Sequence, residues 1–209
     1  TNVEYLLRNI GIDTLVVTKV FTDSIRAEAS RRWNIPPQNL LVNTTHTHSA
    51  PDVFGLHSPR SLSLENQLYE GILGALGAAC AGLVNASLGI GRGRAGDVVI
   101  NRRDLSAQTD QEVAVLRVDG PDGQPIAIVA KIACHPVVMD YANLLYSADL
   151  CGAMYETIES AHPTAISFYL NGCAGNINPA HWPYNTRQNV FIDQTAENYP
   201  VYWGSFEET

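Results

Sequence analysis

Asp13-Thr14-Leu15-Val16-Val17-Thr18-Lys19-Val20, followed further on by Asn39-Leu40-Leu41-Val42-Asn43-Thr44-Thr45, is the passage that decides the fold. The first run alternates weakly and is rich in β-branched residues, which reads as a strand. Asp23 can then cap a helix that runs to about Trp33. Ile35-Pro36-Pro37 stops it. The second run reads as another strand. A strand, a crossover helix and a second strand predict parallel pairing.

Working outward, residues 64–84 carry a long Leu/Ala/Gly helix pattern whose small residues permit close packing at some loss of intrinsic helicity. Glu112 to Val118 and Ile126 to Cys134 are strand-like, and Asp119-Gly120-Pro121-Asp122-Gly123 between them marks a hairpin turn. A helix from about Asp149 to Ala161 and an apolar strand from Ala165 to Leu170 follow. Val98-Val99-Ile100-Asn101 is a further strand-like stretch, with the Val98-to-Asn101 run leading into Arg102. Gly89-Ile90-Gly91-Arg92-Gly93-Arg94 has no helix after it, so it reads as a glycine-rich strand or bend, not a phosphate cradle. Past Gly172 the chain turns Asn-, Pro- and aromatic-rich and takes no assignment. The expected class is α/β: a mixed, mainly parallel sheet flanked by helices, with at least one β-hairpin. The 209 residues read as a single catalytic domain, 1–209, incomplete at one or both ends.

A formal net charge of -8 argues against a nucleic-acid surface, which needs clustered Lys and Arg. No apolar run is long enough for a transmembrane segment. Cys80, Cys134, Cys151 and Cys173 are widely spaced, which excludes a zinc ribbon and a thioredoxin-like motif. Their apolar neighbours predict buried thiols, with one disulfide left open. Oligomeric state is not legible.

Three polar clusters fall at strand ends, where open α/β sheets gather ligands. They are Thr45-His46-Thr47-His48-Ser49, Cys134-His135-Pro136, and Asn171-Gly172-Cys173-Ala174-Gly175-Asn176-Ile177-Asn178-Pro179. Residues two apart on an extended chain point to one side, about 6.5–7 Å apart. His46 and His48 can therefore reach one small volume. One imidazole can bind a metal and the other can transfer a proton. The flanking hydroxyls of Thr45, Thr47 and Ser49 can fix ring orientation. A satisfied strand histidine is the commoner reading of each alone; their joint placement at strand ends brings a metal-dependent hydrolytic site level with it. Arg102 suits an oxyanion or an anionic substrate group, with a surface ion pair as the alternative. Asp149 is most simply a helix N-cap. His57, His162 and His181 lack motif context and default to surface or loop roles.

Thr45-His46-Thr47-His48-Ser49, Asn101-Arg102, His135-Pro136, Ser147-Ala148-Asp149 and Gly175-Asn176-Ile177-Asn178-Pro179, in this order, resemble the N-terminal catalytic domain of the neutral/alkaline (non-lysosomal) ceramidase family. The resemblance covers most of residues 13–180. It implies a zinc amidase in which His46 and His135 are zinc ligands. It also implies that His48 assists proton transfer or transition-state stabilisation beside the metal, and that Arg102 lies in the substrate pocket. Asn176, Asn178 and Asp149 are candidate substrate contacts. The family's other ligands, a Glu and a Tyr from well downstream, have no counterpart in context here, although Glu197, Glu207, Tyr184 and Tyr202 are present. Asn178 stands where the family has Ser, so no Ser nucleophile carries over and attack by metal-activated water is expected.

The expected function is therefore zinc-dependent hydrolysis of an amide in an N-acyl lipid or related acyl amide, with a small-molecule or lipid substrate. The resemblance favours a secreted or periplasmic location. Two alternatives stand beside it. One is a hydrolase of the same fold acting on a carbohydrate-linked ester or acyl group, which Trp182, Tyr184, Tyr202 and Trp203 would suit. The other is a non-catalytic binding domain that has lost the full zinc site.

Overall fold

A computed structural model describes residues 8–139 and 143–180. The readings placed on His181, Trp182, Tyr184, Glu197, Tyr202, Trp203 and Glu207 lie outside the described residues.

The opening is a β-α-β unit. Strand β1 (Arg8–Ile12) pairs in parallel with β2 (Leu40–Thr44), and helix α1 (Lys19–Trp33) crosses between them. The boundaries differ from the sequence reading. The β-branched run Asp13 to Val17 is not a strand; the chain leaves the sheet after Ile12 in a turn closed by Thr14 N–H on the Ile12 carbonyl. Thr18, not Asp23, caps α1, its hydroxyl accepting from the Phe21 N–H. The apolar pattern of this segment serves burial and the site described below, so its strand-like composition misleads. At the other end Asn34 takes a left-handed C-cap with φ 51° and donates to the Ser30 carbonyl.

Helix α2 (Leu62–Ala81) packs on α1. Phe21, Ile25 and Ala29 recur every four residues and meet Ile72 and Leu76 over Ile12, Ile35 and Leu40 to form the main core. A side chain as fully buried as Ile25 contributes about 1.5–3 kcal/mol relative to an exposed one. Gly77 allows the close approach expected of the small residues: a Cβ there would meet the Trp33 ring at 3.0 Å.

Strands β3 (Ser87–Arg94), β5 (Glu112–Asp119), β6 (Pro125–Ile132) and β7 (Ile166–Asn171) form a four-stranded sheet in the order β3-β5-β6-β7. The glycine-rich run is thus a strand. β5 and β6 form the expected hairpin, and the Gly123 N–H closes its turn on the Gly120 carbonyl at 3.0 Å. Helix α3 (Leu150–Ala161) crosses from β6 to β7, which pair in parallel. Short β4 (Val99–Asn101) pairs antiparallel with β8 (Ile177–Pro179). The class is α/β, but the sheets are small and mixed, not mainly parallel. Among the described residues only the two helix-crossed pairs, β1–β2 and β6–β7, are parallel. The hairpin pair and the pairings of β3 and β4 are antiparallel. No helix among the described residues is long and apolar enough to cross a membrane.

The two-stranded unit abuts β7: Asn43 Nδ2 donates to the Tyr169 carbonyl at 2.8 Å. The buried Tyr169 hydroxyl donates to the Cys134 carbonyl at 2.7 Å, fixing the chain that follows β6. All four cysteines are free; Cys134 and Cys151 are buried as expected, Cys80 is half-buried, and Cys173 is exposed.

Gly172 stands at the tightest of these approaches. A Cβ there would lie 2.9 Å from Lys131 Cε and 3.1 Å from the Ala133 N. Gly172→Ala should lower unfolding free energy by about 1–3 kcal/mol, the usual result of overpacking. Urea midpoints of the two proteins check it, and an unchanged midpoint would contradict this packing.

Candidate metal centre

His46, His48 and His135 converge, each offering a ring nitrogen within 4.8 Å of the others. Ring centroids stand 5.2 Å apart for His46 and His48, 5.1 Å for His46 and His135, and 5.8 Å for His48 and His135. Two ligands about 2.1 Å from a tetrahedral ion are about 3.4 Å apart, so small ring rotations bring this cluster onto one ion.

The convergence does not arise from strand alternation as expected. β2 ends at Thr44, and His46 takes a left-handed conformation with φ 68°. Such a backbone costs about 1–3 kcal/mol in a residue that is not Gly and must be held by its surroundings. Here the holding groups are carbonyls. The His46 N–H donates to Thr14 O at 3.1 Å, and its Nδ1 pairs with Leu15 O at 2.8 Å. This explains why the chain after β1 leaves the sheet: its carbonyls are committed to His46. His135 is anchored in the same manner, its N–H on Ile177 O at 3.0 Å and its Nδ1 with the same oxygen at 3.2 Å. A ring whose Nδ1–H faces a carbonyl presents its Nε2 lone pair, the arrangement that orients metal-ligating histidines. That chemistry, three imidazoles and no competing carboxylate in the cluster, fits a zinc ion. Among the described residues His48 has no such carbonyl partner.

Thr45 and Thr47 of the motif engage backbone instead of the rings, and Ser49 Oγ accepts from Asn143 Nδ2 at 3.0 Å. Thr45 Oγ1 accepts from the Thr47 N–H. Thr47 Oγ1 accepts from the Ser49 N–H and donates to the Ser147 carbonyl at 2.8 Å.

Arg102 follows β4 and is tied to the third cluster. Its N–H donates to Asn176 O and its Nη2 to Gly175 O, both at 2.8 Å. Asn101 Oδ1 accepts from the Arg103 and Asp104 N–H groups and so shapes the turn that presents Arg102. The Arg102 Nε is buried without a partner. Burial makes the neutral form of His48 favourable, and the neighbouring His46, His135 and Arg102 add to this, lowering its pKa to about 4. Solvent reaches the exposed edge of His48 and screens part of that effect. His135 is lowered too, by burial first and then by Arg102.

The other candidates are placed as follows. Asn176 is exposed beside Arg102. Asn178 is fully buried in β8, and neither side-chain atom has a hydrogen-bond partner. Asp149 caps α3 as expected; its carboxylate is turned onto backbone N–H groups. Asn171, named in the third cluster without a role, donates through Nδ2 to Thr45 O, and its buried Oδ1 is unpartnered. A cleft of about 480 Å³ runs along His46 and His135, with Leu15, Val17, Asn43 and Asn171 among its walls. His57 is exposed and His162 ends α3, in keeping with their default roles.

No protein-family model matches this chain. Solved structures do share its fold. A ceramidase complexed with C2 superposes with a TM-score of 0.73 at 20% identity, over 92% of this chain and 35% of that one. The neutral ceramidase from Pseudomonas aeruginosa superposes with a TM-score of 0.72 at 19% identity, over 92% of this chain and 36% of that one. The chain thus spans about a third of the length of these structures and has the fold of that portion.

The low pKa of His48 has a measurable consequence. The unfolded chain takes up a proton near the ordinary value of about 6.5, and the native site resists it. The associated stability is present above that value and is lost as pH falls toward about 4. Metal-free protein should lose stability across this window more steeply than His48→Gln, as read from urea midpoints. Parallel pH profiles for the two proteins would contradict the lowered pKa.

Proposed function

We propose that this chain carries a zinc-dependent hydrolase site that cleaves the amide bond of an N-acyl lipid or a related acyl amide. The observation that carries the reading is the matched anchoring of His46 and His135. Each Nδ1 is committed to a backbone carbonyl, so two Nε2 lone pairs point into one cluster. The ceramidase fold supports the substrate class. We place the site in a secreted or periplasmic protein, as the motif resemblance implies.

Zinc, when bound, supplies Lewis-acid chemistry: it polarises a carbonyl and makes water a better nucleophile at neutral pH. His46 and His135 hold it, with the Glu and Tyr of the family pattern as the expected further ligands. His48 is neutral at physiological pH, which favours transition-state stabilisation over general-base work. A neutral imidazole donates its N–H to an oxygen that develops negative charge. Arg102 supplies a fixed positive charge toward the same region. Asn176 lies beside Arg102, in position to orient the substrate. The apolar cleft wall at Leu15 and Val17 suits acyl carbons.

Elemental analysis joined to a hydrolysis screen with N-acyl, O-acyl and phosphoester substrates tests this. The purified protein should hold one zinc and act first on N-acyl substrates. His46→Ala and His135→Ala should lose zinc and activity together. His48→Ala should keep the metal and lose roughly 10²–10³ in kcat. Full activity in His46→Ala would refute the assignment, preferential O-acyl cleavage would move the substrate class to esters, and loss of zinc from His48→Ala would move His48 into the ligand set.

A further inference from the structure

Resting on the metal reading above, we infer that Ser147 and Asp149 form a clamp that sets His48 and His135 at their mutual spacing, making both positioning residues of the centre. The chain passes through Asp149 in a rare backbone conformation, φ 56° and ψ −141°. An N-cap alone does not require this, since Thr18 and Ser61 cap α1 and α2 from extended backbone. The second task lies across the site. Asp149 Oδ2 accepts from the Met139 N–H at 2.7 Å, and Oδ1 accepts from Val138 at 3.1 Å and from Leu150 at 2.6 Å. One buried carboxylate therefore starts α3 and holds the chain three and four residues beyond His135.

That segment in turn carries His48. The Pro136 carbonyl accepts from the His48 N–H at 3.3 Å. Ser147 grips the same arm from its other side: its N–H donates to Ser49 O at 2.9 Å, and its carbonyl accepts from Thr47 Oγ1 at 2.8 Å. Ser147 Oγ also accepts from the Asp149 N–H at 2.9 Å, which locks the two clamp residues together. His46 is held independently by the chain after β1. The clamp thus governs how the other two imidazoles stand relative to it.

Asp149→Asn isolates this role. If the amide oxygen keeps Leu150 and Val138, the amide nitrogen faces the Met139 N–H, donor against donor; the flipped amide has the same fault on the other side. Titration with Co2+, followed by its visible d–d absorption, reads the geometry and affinity of the site without relying on turnover. Asp149→Asn should weaken Co2+ binding at least about tenfold and alter the spectrum, as loss of outer groups around a metal does. Ser147→Ala, a milder break that leaves the carboxylate in place, should shift affinity in the same direction and decides the matter if Asp149→Asn does not fold. Ser61→Ala removes the α2 cap, whose hydroxyl accepts from the Leu64 N–H and is not part of the clamp; it should lower Tm and leave Co2+ affinity unchanged. Wild-type affinity in a folded Asp149→Asn or Ser147→Ala protein, or an equal loss in Ser61→Ala, would overturn the clamp alone. Absence of Co2+ binding by the wild type would overturn the metal reading and the clamp with it.

Discussion

The structure depends on one constraint: an imidazole taken wholly or partly out of water must have its N–H satisfied, and the atom that satisfies it decides which nitrogen is left over. In His46 and His135 the satisfying atoms are the carbonyls of Leu15 and Ile177. Much of the local irregularity follows. Residues 13–17 leave the sheet so that two of their carbonyls face His46. β8 brings Ile177 alongside His135 and pairs with β4, which delivers Arg102. Two short parallel pairs and one short antiparallel pair thus position side chains from four distant parts of the sequence.

The electrostatic character of the cluster is consistent with this. Three imidazoles and a guanidinium share the region, and a proton on His48 or His135 is disfavoured by burial and by like charge. Neutral imidazoles are the form that binds metal. Among the described residues, two of the three non-glycine residues with positive φ, His46 and Asp149, lie at the site. The third, Asn34, ends a helix. Strain concentrated in this way belongs to positions that the surrounding hydrogen bonds over-determine.

Much of the fold is legible in the sequence because local chemistry agrees with tertiary structure there. The helix ending at Trp33, the hairpin around Asp119 to Gly123, and the Asp149 cap all carry their own signals. The strand expected over Asp13 to Val20 fails because Thr14 and Leu15 give their carbonyls to His46 and Thr18 then caps α1, so β-branched composition here reports no pairing. The sheet is less parallel than expected because parallel pairs need helical crossovers, and only two crossovers of this kind occur among the described residues. At the site, the grouping of His46, His48, His135 and Arg102 was legible from strand ends and motif order. What holds them was not. Leu15 and Ile177 act through backbone carbonyls, which leave no mark in residue identity. The expected alignment of His46 and His48 by strand alternation was replaced by a left-handed turn at His46 that no residue preference signals.

The central claim is that the committed Nδ1 atoms leave two Nε2 atoms aimed at one ion. Anomalous diffraction at the zinc absorption edge, from crystals grown with zinc, tests it directly. The account predicts one strong peak about 2.1 Å from Nε2 of both His46 and His135, with Leu15 O and Ile177 O still on the opposite nitrogens. A peak on Nδ1 of either ring, or zinc bound elsewhere with this cluster left empty, would contradict it.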